Sequence, residues 1–246
     1  MIPIHDYLRS RSFPYVNYGL IIANFLVFFY ELTQPNLNAW IDEWGARPCL
    51  LNAAVHASSV ATCSVNGALG HFTYAGVPYP PLTLLTSMFI HAGWLHILGN
   101  MLFLWVFGDN VEDAFGHVGY LVFYLACGLG AGLGQFYSDT SSVIPSVGAS
   151  GAIAGVLGAY LMLYPRAKVQ TIIPIIIIPW FVRIPAFLVM LVWFGTQVLS
   201  SNLFAVANAT GGSGGVAYMA HIVGFLMGMV IAVPLRGRRR SIASAG

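Results

Sequence analysis

A serine, two histidines and an asparagine stand in apolar surroundings that penalise polar side chains. Ser150 lies in Ser146-Val147-Gly148-Ala149-Ser150-Gly151, His96 and Asn100 are four residues apart, and His221 is followed by Gly224 and Gly228. A serine hydroxyl becomes a nucleophile when an imidazole takes its proton, and amide or imidazole N–H groups stabilise the oxyanion that forms on attack. His96 and Asn100, at i and i+4, share one helical face. His91 lies five residues before His96 and points about 140° away from it. No paired carboxylates accompany these residues, so acid/base work would fall to a Ser–His dyad. There is no H-E-x-x-H and no Asp or Glu beside the histidines, so a zinc site is not expected.

These residues need elements to carry them. The chain has 246 residues, 58% of them apolar and only 7% charged, against about 25% charged in a soluble domain. A soluble enzyme, a nucleic-acid binder and a disordered chain are excluded; a polytopic helical membrane protein remains. Apolar stretches cover residues 15–32, 84–107, 118–137, 147–164, 184–199 and 216–235. A span running through 172–191 would bury Arg183 at about 3 kcal/mol and would contain Pro174, Pro179 and Pro185. Residues 169–183 therefore read as an interfacial or hairpin segment.

Six spans put both termini on one side. Arg9, Arg11, Arg166, Lys168, Arg183, Arg236, Arg238, Arg239 and Arg240 share that side and Arg47 falls opposite, so the termini are expected in the cytoplasm. The first apolar run follows Arg9 and Arg11 without a small-residue cleavage site and reads as a retained anchor. The expected organisation is a short N-terminal segment (1–14), a six-span membrane domain (15–235) and a basic tail (236–246). The long outer connection between the first two spans holds Cys49 and Cys63. Their spacing allows a disulfide in an oxidising compartment, with two unpaired thiols as the alternative.

Small residues form stripes on two of the spans. Ser150, Ala154 and Gly158 make one, Gly151, Gly155 and Ala159 its neighbour, and His221, Gly224, Gly228 and Ala232 a third on the last span. Such faces let helix backbones approach closely. Both spans enter from outside with the polar residue near the outer end, so packing the stripes together would bring Ser150 to His221. Asn100 and His221 both fall on the order of 10 Å below the outer surface.

His96-x-x-x-Asn100, Gly148-Ala149-Ser150-Gly151 and Ala220-His221-x-x-Gly224-x-x-x-Gly228, in this order, resemble the rhomboid intramembrane serine proteases. The resemblance covers nearly the whole chain. It implies an all-α, six-transmembrane-helix bundle whose short fourth span starts mid-membrane behind a water-filled cavity. It also implies cleavage of single-pass membrane proteins in or near their spans, with no metal or nucleotide cofactor and no nucleic-acid partner. By the same resemblance Ser150 and His221 are catalytic, His96, Asn100, Ser150 and Gly148 stabilise the oxyanion or substrate, and His91 matches a non-catalytic histidine. The expected location is a bacterial inner (plasma) membrane.

Two positions depart from the family. A Trp-Arg pair common in the first loop is replaced by Pro80-Pro81-Leu82-Thr83-Leu84, and Ala154 stands where well-known members stack a Tyr on the catalytic histidine. Some other group must hold the His221 ring. The competing readings are a non-catalytic rhomboid relative that binds membrane helices, which would typically lack the serine or histidine, and a small channel or transporter, which would want carboxylates at mid-membrane.

Overall fold

Each apolar stretch contains a helix, and the polar, Pro- and Gly-rich connections contain the turns and strands. The computed structural model describes residues 1–56, 60–65, 68–73, 80–175, 178–209 and 217–236, with the backbone alone at 60–65, 68–73, 174–175, 178 and 200–209. In chain order the elements are β1 (Ile2–Asp6), α1 (Tyr15–Glu31), α2 (Leu37–Trp44), α3 (Pro48–Val55), β2 (Val60–Val65), β3 (Ala68–Thr73) and α4 (Pro80–Thr86). Then come α5 (Trp94–Phe115), α6 (His117–Ser138), α7 (Ser150–Leu163), β4 (Lys168–Ile175), β5 (Ile178–Pro185), α8 (Ala186–Ala209) and α9 (Tyr218–Ala232).

The second apolar stretch is not one helix, which corrects the expected span at 84–107. Its first residues end α4, a turn with Gly93 at a φ of 155° follows, and α5 starts only at Trp94. The expected all-α architecture also needs correction. β1, β4 and β5 form an antiparallel sheet in that order, with Ile2 opposite Ile172 and Asp6 opposite Val169. The β4–β5 hairpin occupies the stretch read as interfacial or hairpin; its Ile- and Val-rich residues favour the pleated form. β2 and β3 make a second hairpin inside the outer connection.

By length and composition two described helices, His117–Ser138 and Tyr218–Leu235, suffice to cross a membrane; Tyr15–Glu31, Ser150–Leu163 and Ala186–Leu199 are apolar but shorter. Gly116 alone joins α5 to α6. Its φ of 72° is the left-handed conformation that lets the chain reverse between two abutting helices.

α7 is the centre of the molecule. Every residue from Gly151 to Tyr160 is buried, between α5, α6 and α9. Its glycines set how close the neighbours come. A methyl group at Gly155 would meet Cys127 Cβ at 2.6 Å and the Gly224 carbonyl oxygen at 3.3 Å, and one at Gly151 would meet Ala131 Cβ at 2.6 Å. From the other side, a methyl at Gly224 would strike the Gly151 carbonyl and one at Gly228 the Gly155 carbonyl. The small faces of α7 and α9 thus meet backbone to backbone.

Buried polar groups lock the start of the bundle. Glu112, fully buried near the end of α5, accepts the backbone N–H groups of Val16 (3.0 Å) and Asn17 (2.7 Å) in the first turn of α1. The carboxylate satisfies two amides that have no partner within their own helix. Asn17 then donates to the Leu104 carbonyl (3.1 Å) and accepts from the Tyr120 hydroxyl (2.9 Å).

Candidate active site

Gly148 opens the turn into α7 with φ of 115°, a conformation that suits glycine. Its N–H donates to the Ser87 carbonyl at 2.8 Å. The strand-like segment before it is held by the outer connection, through reciprocal bonds between Ala46 and Ser146 (3.0 and 2.8 Å) and a bond from Cys49 N–H to the Ser142 carbonyl (3.0 Å). Ser150, the first residue of α7, is thereby fixed by two independent tethers.

Ser150 Oγ lies 2.7 Å from His221 Nε2. His221 is held by burial in the first turn of α9, and Ala220 N–H beside it donates to Gln135 Oε1 of α6 at 3.3 Å. The other ring nitrogen, Nδ1, lies 2.7 Å from Gln197 Oε1 on α8. The Trp193 ring sits 5.8 Å from the imidazole, tilted by 39°. Both contacts on the His221 ring come from α8. Ala154, one turn after Ser150, is buried in the core.

His96 and Asn100 converge on Gly148 from α5. A methyl group at Gly148 would meet His96 Nε2 at 2.6 Å and Asn100 Nδ2 at 3.4 Å. His96 Nδ1 accepts the Ala92 N–H at 3.3 Å, which leaves Nε2 as the protonated nitrogen of a neutral ring, aimed at Gly148. Asn100 Nδ2 is buried and has no partner among the described residues. Two donors therefore face the entrance to α7 beside Ser150. Gly148, grouped with these residues by the resemblance, has its own N–H bonded to the Ser87 carbonyl. Its contribution is the missing side chain, which leaves room for those donors.

His91 lies outside this cluster. It is fully buried, its N–H donates to Glu31 Oε2 (3.2 Å), and its ring packs edge-on against His96 with centroids 5.1 Å apart. Of the two outer cysteines, Cys49 is buried and disulfide-bonded; Cys63 is in β2, and its side chain lies outside the described residues. Small residues, among them Gly128, Ala131, Gly132, Gly151 and Ala217, line a cavity in front of Ser150.

The site also contains residues that sequence reasoning passed over. Gln197 and Trp193 of α8 flank His221, and Gln135 and Ser87 anchor backbone beside the two central residues. Gln197 carried a usable signal, an amide in an apolar run.

The Rhomboid domain model matches residues 81–238, well over half of the chain. Rhomboid-like protein 11, chloroplastic, of Arabidopsis thaliana is 28% identical over 157 residues, 60% of this chain and 50% of that protein. Rhomboid protein 1, mitochondrial, of Saccharomyces cerevisiae is 29% identical over 157 residues, 61% of this chain and 40% of its own length. Rhomboid protease GluP of Bacillus subtilis is 45% identical over 78 residues, 32% of this chain and 15% of GluP. The chain thus spans half or less of the length of these relatives. With the match running through α5, α7 and α9, the chain belongs to the rhomboid family of helical integral membrane proteins.

Proposed function

We propose that this protein is a serine endopeptidase of the bilayer, cleaving single-pass membrane proteins in or near their transmembrane segments. The observation that carries the reading is the 2.7 Å approach of Ser150 Oγ to His221 Nε2. The Ser150 hydroxyl gives its proton to Nε2 as Oγ attacks the scissile carbonyl. Asn100 Nδ2 and His96 Nε2 donate to the resulting oxyanion, joined by N–H groups of the first turn of α7, which have no partner within the helix. The imidazolium returns the proton to the leaving amine, and water then resolves the acyl-enzyme with His221 again as base.

In this reading α1 and α5 to α9 span the membrane as a domain of residues 15–235. Residues 1–14, the β1-β4-β5 sheet and the tail 236–246 lie on the cytoplasmic face of a plasma membrane. Lys168 and Arg183 in the sheet, Arg166 just before β4, Arg9 and Arg11 between β1 and α1, and Arg236 after α9 support that side. α7 has 14 residues, about 21 Å of helix against a hydrocarbon core of about 30 Å. Anchored at the cytoplasmic side, it would leave Ser150 on the order of 10 Å inside the membrane. The substrate is a transmembrane segment with small residues at the cleaved bond, in keeping with the small side chains lining the cavity before Ser150.

The test is co-expression with single-span reporters, read together with labelling by a fluorophosphonate. Ser150→Ala and His221→Ala should each abolish cleavage in a folded protein. The double variant should be no worse than either, because residues acting as a unit are non-additive. Cleavage above background by Ser150→Ala sinks the proposal.

A further inference from the structure

We infer that Gln197 is a positioning residue of the catalytic centre, fixing both the orientation and the tautomer of His221. The inference rests on the dyad proposed above and adds a third member to it from α8.

The argument starts with the amide itself, whose oxygen and nitrogen must be assigned by their neighbours. Gln197 Nε2 lies 3.4 Å from the Trp193 carbonyl oxygen and 3.3 Å from Thr196 Oγ1. The Thr196 hydroxyl is itself committed as a donor to the Trp193 carbonyl at 2.6 Å, so toward Gln197 it offers lone pairs. Both neighbours are acceptors, so the NH2 group belongs on that side and the oxygen faces His221. That oxygen can only accept, hence Nδ1 of His221, 2.7 Å away, must carry a hydrogen. A neutral imidazole carries only one. Nε2 is then left with its lone pair directed at Ser150 Oγ, 2.7 Å away, and the serine hydroxyl donates to it. The whole chain, from the Trp193 carbonyl to the nucleophile, has one consistent proton arrangement.

The alternative tautomer would put a hydrogen on Nε2 and set Nδ1 against an amide oxygen, lone pair to lone pair. In that state His221 cannot take the serine proton. In serine proteases with a carboxylate at this point, the third group holds the ring and stabilises the imidazolium. Gln197 can hold the ring and orient Nδ1–H, but it brings no charge. A neutral group suits the location, since an ionised carboxylate is costly at membrane depth. The amide is also carried by a firmly seated stretch of α8. One turn earlier, Trp193 lies against the His221 ring and Phe194 stacks on Phe225 of α9 at 4.7 Å and 25°.

The experiment uses the full-length protein in detergent, with cleavage of a transmembrane reporter followed across pH. Gln197→Met keeps the length of the side chain and removes the acceptor. It should lower kcat on the order of 10-fold to 10²-fold, with KM and the thermal midpoint unchanged. Gln197→Glu restores an acceptor and adds a charge that favours the protonated ring. It should recover activity over the methionine variant, with the acid limb of its kcat profile moved to higher pH. A residue that merely ties α8 to α9 would leave that limb where it is. Ser150→Ala, run alongside, separates this inference from the one beneath it. If Ser150→Ala is inert while Gln197→Met keeps kcat within about two-fold, the dyad stands and the role of Gln197 is overturned. If Ser150→Ala cleaves, the dyad itself falls. Should Gln197→Met fail to fold, superimposable pH limbs for wild type and Gln197→Glu overturn the inference.

Discussion

Gly228 offers a test of whether the backbone contact between α7 and α9 sets the catalytic distance. A methyl group added there would lie 2.6 Å from the Gly155 carbonyl carbon and 2.7 Å from its Cα. Carbon atoms in contact sit about 3.5–4.0 Å apart, so in Gly228→Ala the helices must part by roughly 1 Å. Overpacking of this kind destabilises by about 1–3 kcal/mol. At about 2–4 °C per kcal/mol for a protein of this size, the thermal midpoint should fall by roughly 2–12 °C. The same displacement reaches the chemistry. His221 precedes Gly228 by seven residues, about 10 Å along α9, and Ser150 precedes Gly155 by five on α7. Opening the 2.7 Å Ser150–His221 separation by up to 1 Å takes it past hydrogen-bond range, a misplacement that can lower kcat about 10²-fold. Cleavage per folded molecule and the rate of fluorophosphonate labelling should drop together. The control is Gly19→Ala on α1, where an added methyl has no neighbour within 4 Å; it should be neutral, or stabilising by up to about 1 kcal/mol through helix propensity. A Gly228→Ala protein with wild-type midpoint and kcat would refute the reasoning.

Two further outcomes are expected. Asn100→Ala removes a buried donor that has no other partner among the described residues; kcat should fall on the order of 10²-fold, or about tenfold if His96 compensates, with the fold intact and KM little changed. Wild-type kcat in that variant would reduce Asn100 to a bridge between helices. Asp6 in β1 has its pKa raised to about 7, first by burial, against hydrogen bonds from Tyr160 and Asn110, with the Asp109 carboxylate raising it further. The folded protein keeps this proton up to about pH 7 while the unfolded chain releases it near 3.8, so stability should decline as pH rises between those values. Thermal midpoints of wild type and Asp6→Asn, compared from pH 4 to 8, should diverge as pH rises, with the asparagine variant the flatter; parallel curves would exclude Asp6 as the source.

Much of the site was legible because polar residues in apolar runs are anomalous by free energy alone. Ser150, His221, His96 and Asn100 could be named on that ground, and the small stripes suggested which faces would meet. The same ground could have named Gln197. It was passed over because periodicity within α8 does not say which side of α9 that helix lies against. The break between α4 and α5 had its signs in Pro80, Pro81 and Gly93, but the apolar run drowned them. β1 was beyond reach, since this five-residue strand pairs with one some 165 positions away, and no local pattern encodes such a partner. Glu112 lies beyond the apolar stretch 84–107. Only the packing of α1 against α5 gives its buried carboxylate two amides to satisfy.

The order in which the chain supplies its parts has a bearing on biosynthesis. Ser150 becomes positioned when Ala46 and Cys49 bond to Ser146 and Ser142, contacts about a hundred residues apart. The base proposed for it, His221, arrives later still, on α9, the last α-helix among the described residues. A ribosome-bound chain that has inserted α1 to α8 therefore holds Ser150 without His221. Newly made polypeptides crowd the insertion site, and many expose unpaired hydrophobic segments resembling a substrate. If Ser150 and His221 act as proposed, the chain would pass through that company inert, and the pair would form only once translation had delivered His221 to the bundle.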